Sequence, residues 1–389
     1  MKARILVVPG FVSDTYSEIE RSFVELSSIP DAGIEFVWLV PDISSKYNRY
    51  ARPEKRGTLL EPVYATHLRR TGARIRVGTI SKYNVLGNFF LFRRIFREEK
   101  VIAVYTHFGS DRFWAAFFGK LWGKIVIWNA HWDSLRGRHR LIKEIFYRLF
   151  IDHFIAVSSF IARTLPARKR VHTVLNSIRA NTPEDDLRSD KRPLLKAQLG
   201  IPESSIVVLM VAKFTKQKRH ALALSICTKV LEQRKDVLFI FLGGGPERVP
   251  TKEKIGRMST APQFILPGHV DDVDEYYSIA DICMFTGDKD AFSYAVLEAM
   301  KNSLPVVAFE SGGPAEVIRD RETGFLVREG EVDRFASRLL ELIESTVLRS
   351  AMGKRAREAV DRSYSRDVWL TQMVDTLCRI TKKEEVIAG

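Results

Sequence analysis

A chain of 389 residues, 46% hydrophobic and 28% charged, is too long for one ordinary core and too apolar to be disordered, so it suits two domains. No apolar run approaches the roughly 20 residues that span a bilayer as a helix. The net charge of +14 is uneven: residues 1–180 hold 30 Lys and Arg against 15 Asp and Glu, whereas the remainder holds 31 against 32. A basic N-terminal half suits nucleic acid, an anionic membrane surface or a phosphorylated substrate. The first ten residues, Met1 to Gly10, hold too short an apolar core for a signal peptide and predict a first strand. Cys227, Cys283 and Cys378 are odd in number, far apart and in no metal or redox spacing, which predicts a reducing cytosol.

In the N-terminal half, apolar strands alternate with helical patterns, the grammar of a mostly parallel sheet covered by helices. Strands are predicted at Arg4–Val8, Glu35–Leu39, Ile75–Val77, Val101–Thr106, Lys124–Trp128, His153–Val157 and His172–Val174. Helices are predicted between them, among others at Asp14–Leu26, Gly87–Glu99, Arg112–Trp122 and Leu141–Phe150. Residues 44–82, poor in acids and rich in Arg and Lys, form a candidate loop for a lipid diphosphate or membrane headgroups. Two stretches, Phe89–Arg97 and Arg136–Phe150, alternate cations with aromatics. Such basic amphipathic segments either lie on anionic lipid or are ordinary core-facing helices with solvated cations, and both readings stand open.

A polar, proline-flanked run from Ser177 to Pro193 marks a break between domains. Beyond it, strands are predicted at Ile206–Ala212, Leu238–Leu242, Gln263–Leu266, Ile282–Phe285, Val306–Phe309 and Gly324–Val327. Long helical patterns then run from Glu331 to Lys382. The expected architecture is α/β: two Rossmann-like doubly wound parallel-sheet domains facing a cleft, with ligands at the carboxyl ends of the strands. The domains are expected at 1–180 and 181–365.

The stretch richest in chemistry runs from Asp281 to Glu316. A strand, Ile282–Phe285, gives way to the polar loop Thr286–Asp290, and a helix opening near Phe292 carries Glu298 eight positions after Asp290. The amides of Phe292, Ser293 and Tyr294 would lie in the first helical turn and point at an anion. Asp290 is placed to accept from sugar hydroxyls, and Glu298 to chelate the two hydroxyls of a ribose. By spacing alone the plainer alternative is an acid at a helix start and a solvated helical glutamate.

This stretch resembles the signature of family 4 of the retaining glycosyltransferases, which have the GT-B fold. The match is an acid, seven residues and Glu-Ala-Met, here Asp290 to Met300, then Pro305-Val-Val-Ala308 and Gly312-Gly-Pro-Ala-Glu316. The resemblance is strongest over 206–330 and weak before residue 100. It implies that Lys213 and Lys218, after the strand Ile206–Ala212, bind the donor diphosphate and neutralise charge as it leaves. It likens Gly243-Gly-Gly-Pro246 to a Gly-x-Gly-Pro turn at the nucleotide, which places Gly244 there; a plain tight turn is the alternative. It places the backbone of His269 and Val270 at the base, and Gly10 near the donor phosphates. It makes His131, just past the strand Lys124–Trp128, the histidine that reaches the donor sugar or acceptor, with Asp133 a lesser candidate. Ser158 and the segment Asn176–Ile178 match positions that are structural.

The resemblance further implies transfer of a sugar from a nucleotide donor, UDP- or GDP-linked, to a glycan acceptor, lipid-linked in cell-surface polysaccharide synthesis. It implies front-face attack with retention, no obligatory metal and no cofactor, since the nucleotide sugar is a substrate. The last helix, within 366–389, is expected to cross back to the N-terminal domain. The expected location is cytoplasmic, peripheral on the inner face of the membrane, with an anionic membrane surface as partner and no nucleic acid. There are departures: Asp290 stands where Glu is usual, Ala291 and Ser293 replace glycines, and Lys213 replaces Arg. They imply unusual sugar specificity or an impaired enzyme. Two alternatives remain at this stage: a GT-B sugar-nucleotide epimerase, and a non-catalytic membrane- or nucleic-acid-binding module on the same scaffold.

Overall fold

A computed structural model describes residues 2–10, 18–29, 33–42, 62–107, 111–132, 140–166, 170–179, 192–270 and 272–388. The chain forms two compact units, Met1–Ser177 with Arg366–Gly389, and Ile178–Ser365.

The first unit alternates strand and helix throughout. Its elements are β1 (Ala3–Val8), α1 (Glu18–Ser27), β2 (Ile34–Val40), α2 (Val63–Arg70), β3 (Arg74–Val77), α3 (Val85–Glu99) and β4 (Ala103–Thr106). They continue as α4 (Asp111–Leu121), β5 (Ile125–Ala130), α5 (Arg140–Phe150), β6 (His153–Ala156), α6 (Ser159–Thr164) and β7 (Arg170–Thr173). The sheet has the order β3-β2-β1-β4-β5-β6-β7, and its described pairs are all parallel. Its central strands are buried on both faces, which is why they read as unbroken apolar runs rather than as alternation.

Part of the stretch expected as a loop over 44–82 is ordered differently. Residues 43–61 lie outside the described residues, but 62–82 hold α2 and β3. The reason is a buried stripe, Tyr64, Ala65 and Leu68, that packs α2 into the core beside Trp38, despite the surrounding cations. Of the helix predicted at Asp14–Leu26, the first four residues lie outside the described residues, and α1 covers the rest.

The second unit repeats the pattern: α7 (Arg192–Gln198), β8 (Ile206–Val211), α8 (His220–Gln233), β9 (Val237–Leu242), α9 (Arg248–Gly256), β10 (Phe264–Gly268) and α10 (Asp274–Ile279). Next come β11 (Ile282–Phe285), α11 (Tyr294–Lys301), β12 (Val306–Phe309), α12 (Pro314–Val317), β13 (Gly324–Val327), α13 (Val332–Glu344) and α14 (Thr346–Ser363). Its parallel sheet runs β10-β9-β8-β11-β12-β13. In each sheet the strand order reverses beside the unit's first strand, between β1 and β4 and between β8 and β11. Crossovers on the two sides of such a point leave toward opposite faces, and the loops part to leave a crevice at the carboxyl ends of the strands.

The last helix, α15 (Arg366–Ala388), belongs to the first unit. Trp369, Met373, Leu377 and Ile380 recur on one helical face and sit in the core with Phe23, Trp38 and Tyr105. Trp369 meets Phe23 edge to face at 5.9 Å. At the helix start, buried Arg366 bonds to Ser22 and pairs with Glu25 at 3.5 Å. Leu377 is wholly buried, so Leu377→Ala leaves a cavity. Urea unfolding of the first unit should record a loss of about 2–5 kcal/mol; a loss under about 1 kcal/mol would mean that α15 adds little to that core.

Candidate functional site

The second unit gathers its candidate residues at the carboxyl edge of its sheet. The loop after β8 carries Lys213, and the loop after β9 carries Gly243, Gly244 and Gly245. Gly243 and Gly245 have φ of +138° and +141°, and a Cβ on either would strike the carbonyl oxygen of Ala212 or Phe214. This close approach lets Phe214 N–H donate to Gly244 O at 2.8 Å and Gly243 N–H donate to Gly268 O at 2.8 Å. Three loop backbones are thereby stitched around a cavity of about 380 Å³ lined by Lys213, Gly243, Gly244, His269 and Val270. Lys213 is exposed at its rim. Four residues singled out in sequence, Lys213, Gly244, His269 and Val270, thus share one pocket.

Lys218 stands apart from that lining. It closes a single 3-10 turn, Lys216–Lys218, and its Nζ donates to Asp290 Oδ2 at 2.7 Å, with both side chains mostly buried. The same ammonium lies 4.8 Å from the centre of the Phe285 ring. Thr286 Oγ1 donates to Lys218 O at 2.9 Å, which ties the loop after β11 to the loop after β8 across the reversal point. Sequence reasoning gave Lys218 and Asp290 separate partners; the structure gives them each other.

The helix after Asp290 begins later than the sequence predicts. Tyr294 is its first residue, and Ser293, in extended conformation with φ −97° and ψ 98°, is its N-cap. Phe292 is therefore outside the first turn, and its side chain is buried near Tyr294 and Tyr364. The cause lies in the turn after β12. Gly313 N–H donates to Asp290 O at 2.6 Å, and a Cβ on Gly313 would come within 2.7 Å of Phe292 Cα. The Gly312–Gly313 backbone thus packs directly on residues 290–292 and holds them out of the helix. The first helical turn thus begins at Tyr294, whose amide and those after it have no acceptor within the helix itself. The Ser293 hydroxyl is buried and has no hydrogen-bond partner among the described residues.

Glu298 lies in the second turn of α11, half-buried, and accepts from Tyr277 Oη at 3.0 Å. Burial first, and the Glu298 charge second, push the Tyr277 hydroxyl well up, so it stays a neutral donor. Glu298 is therefore neither a fully solvated helical residue nor part of the Lys213 cavity. His220, which no sequence signal marked, stacks on Phe214 at 3.8 Å and 12°. Both of its ring nitrogens are buried without partners among the described residues, and desolvation followed by the Lys218 charge lowers it to about 4.

In the first unit, Gly10 follows β1 with φ +64°. The next strand in the sheet, β4, is followed by His107, whose N–H donates to Val8 O at 3.2 Å. His107 Nδ1 lies 3.5 Å from His131 Nε2, beyond the end of β5. Desolvation, then the charge of Arg112, lowers His131 to about 3, and desolvation with His131 holds His107 well below the usual range. Both rings are neutral at neutral pH. Arg112 itself lies over Trp128 and Trp132, 4.5 and 4.9 Å from the ring centres. His107 was missed in sequence, although it sits just past a predicted strand, the same signal that marked His131. Asp133 lies outside the described residues. Ser158 is the N-cap of α6, its Oγ accepting from Ile161 N–H at 3.1 Å, and Ile178 bridges to Ser365.

Two parallel-sheet Rossmann-like units of this kind define the GT-B fold, and solved structures of similar architecture include glycosyltransferases. A glycosyltransferase from Rickettsia africae aligns over 98% of this chain and 99% of its own with a TM-score of 0.76 at 19% identity. Anabaena Alr3699/HepE in complex with UDP aligns over 97% and 100% with a TM-score of 0.74 at 16% identity. Residues 191–359, within this second unit, match the family described as glycosyl transferases group 1. Among curated proteins, the N-acetyl-alpha-D-glucosaminyl L-malate synthase of Bacillus anthracis is 27% identical over 206 residues, 52% of this chain and 52% of that protein. The chain thus spans about half the length of this relative.

The buried histidines make stability pH-dependent in a definite sense. An unfolded His220 takes up a proton as pH falls through 6.5, whereas the folded ring resists until about 4. The unfolded state therefore binds more protons in that window, and stability falls as pH drops through it. His220→Phe keeps the stacked ring and removes the titration. Urea unfolding at a series of pH values should show it losing about 3 kcal/mol less than wild type between pH 6.5 and 4. An unchanged slope would mean that His220 titrates normally.

Proposed function

We propose that this protein is a retaining glycosyltransferase that moves a sugar from a UDP- or GDP-sugar to a glycan acceptor, with the donor held by the second unit. The observation that carries the reading is the convergence of Lys213, Gly243, Gly244, His269 and Val270 on one cavity at the carboxyl edge of the sheet, at its reversal point. A flat base fits between backbone loops that lack side chains, and a diphosphate fits against an exposed ammonium. The N-terminus of α11, with the unpartnered Ser293 hydroxyl, supplies further donors for the phosphates. Glu298 supplies a carboxylate for ribose hydroxyls.

In this reading the bond between the anomeric carbon and the diphosphate oxygen breaks, and its electron pair leaves with the diphosphate. The acceptor oxygen forms the new bond on the same face, and its proton passes to the departing phosphate. Lys213, Lys218 and the helix N-terminus stabilise the charge that develops. Asp290, paired with Lys218, orients the donor sugar. His131, neutral and able to donate or accept, is the first unit's candidate for hydrogen bonding a sugar or acceptor hydroxyl. In this reading the two lysines and the helix N-terminus meet the charge of the diphosphate without a metal. Relatives of this chain include a lipopolysaccharide core biosynthesis glycosyltransferase of Rhizobium meliloti. A glycan acceptor, lipid-linked, on the cytoplasmic side is the corresponding proposal here.

Thermal unfolding with UDP, GDP, ADP and their common sugars tests the donor site. One base should raise the melting temperature of the wild type, with a ligand at 100 times its dissociation constant adding about 2.7 kcal/mol of stability. Glu298→Ala should weaken that ligand about tenfold or more. Absence of any nucleotide shift in the wild type would remove the reading.

A further inference from the structure

We propose that the outward face of α5, on the first unit, is a docking surface for an anionic lipid bilayer. This helix has its apolar residues on two faces, and among the described residues one of them packs on α4 while the other is exposed. Phe146 and Phe150 turn inward and meet Phe113 and Phe117 of α4 at 5.1 and 5.5 Å between ring centres, while Tyr147 is wholly buried against Trp128. The other face carries Leu141, Ile142, Ile145 and Leu149, which are 69, 65, 50 and 62% exposed. At about 100° per residue these four fall within one quadrant or so of the helix. An isolated exposed leucine is ordinary, but four in one stripe are not.

The charges around the stripe select the occupant. Exposed Arg140 and Arg148 flank it, Arg148 paired to Glu144 of the same helix at 2.6 Å. The crossovers β3→β4, β4→β5 and β5→β6 all advance in one direction along the sheet, so α3, α4 and α5 lie on the same face of it. The helix α3 repeats the combination: Leu86 and Phe90 are 72 and 59% exposed, and Arg93, Arg94 and Arg97 are exposed beside them. Apolar side chains that enter the acyl boundary, rimmed by arginines that meet lipid phosphates, suit an interfacial helix on anionic lipid. The excess of cations over acids in residues 1–180 has the same sign. No described helix is long and apolar enough to cross a membrane, so the attachment is to the surface. The inference does not rest on the sugar-transfer reading, and nucleotide binding and vesicle binding fail independently.

The test is sedimentation of the full chain with vesicles of phosphatidylcholine alone or mixed with phosphatidylglycerol. The wild type should sediment with the mixed vesicles, less with rising salt, and little with phosphatidylcholine alone. Ile145→Asn combined with Leu149→Asn should weaken binding about tenfold without changing thermal unfolding, because both side chains already face solvent. Arg140→Gln should weaken it less and flatten the salt dependence. Failure of the wild type to sediment with mixed vesicles, or equal binding by the double variant, overturns the proposal. A dimer formed without vesicles and lost in the double variant also overturns it, in favour of a second copy of this chain.

Discussion

The reversal of strand order beside the first strand of each sheet is the constraint on which the candidate site depends. Right-handed crossovers can leave a parallel sheet toward only one face for each direction of travel. Between β8 and β11 the direction changes, so the loops after these strands part and their polar groups are not covered by a helix. Lys213 and Thr286 follow strand ends there, and Asp290 lies in the loop after β11. The same geometry between β1 and β4 sets His107 against Val8 at the end of β1 in the first unit.

Within that frame, glycine decides how closely loops approach and charge decides how they are held. Gly243 and Gly245 bring the loop after β9 against the carbonyls after β8, while Gly312 and Gly313 bring the turn after β12 against residues 290–292. Side chains at these points would push the loops apart and reopen the cavity walls. The Lys218–Asp290 pair spans the parted loops, and the Lys218 charge also helps to keep His220 neutral. In the first unit, desolvation keeps His107 and His131 neutral as well. A neutral imidazole both donates and accepts, which is more useful beside hydroxyl groups than a second cation next to Arg112.

Much of the fold was legible because strands buried on both faces are continuous apolar runs, as Ile206–Val211 and Val237–Leu242 illustrate. The helix α2 was not legible, because its buried stripe is only Tyr64, Ala65 and Leu68 within a run of cations. The start of α11 was misplaced for a different reason. Local propensity gives no hint that Gly313, more than twenty residues later, would hold Asp290 and Phe292 outside the helix. His107 went unmarked because a single histidine gains meaning from the neighbour that packs on it.

By itself, then, the sequence determined the α/β architecture, the strand positions, the motif from Asp290 to Glu316 and the residues of the Lys213 cavity. The architecture and strand positions follow from local patterning, whereas the motif and the cavity residues Lys213, Gly244, His269 and Val270 were singled out by a family resemblance that short local segments carry. Tertiary structure alone decided that Lys218 binds Asp290, that Glu298 meets Tyr277, that His131 meets His107, and that α5 turns four aliphatic side chains to solvent. The last case gives the reason most plainly. An amphipathic pattern states that a helix has an apolar face, but only the packing of Phe146 and Phe150 on α4 settles which face is spent on the core.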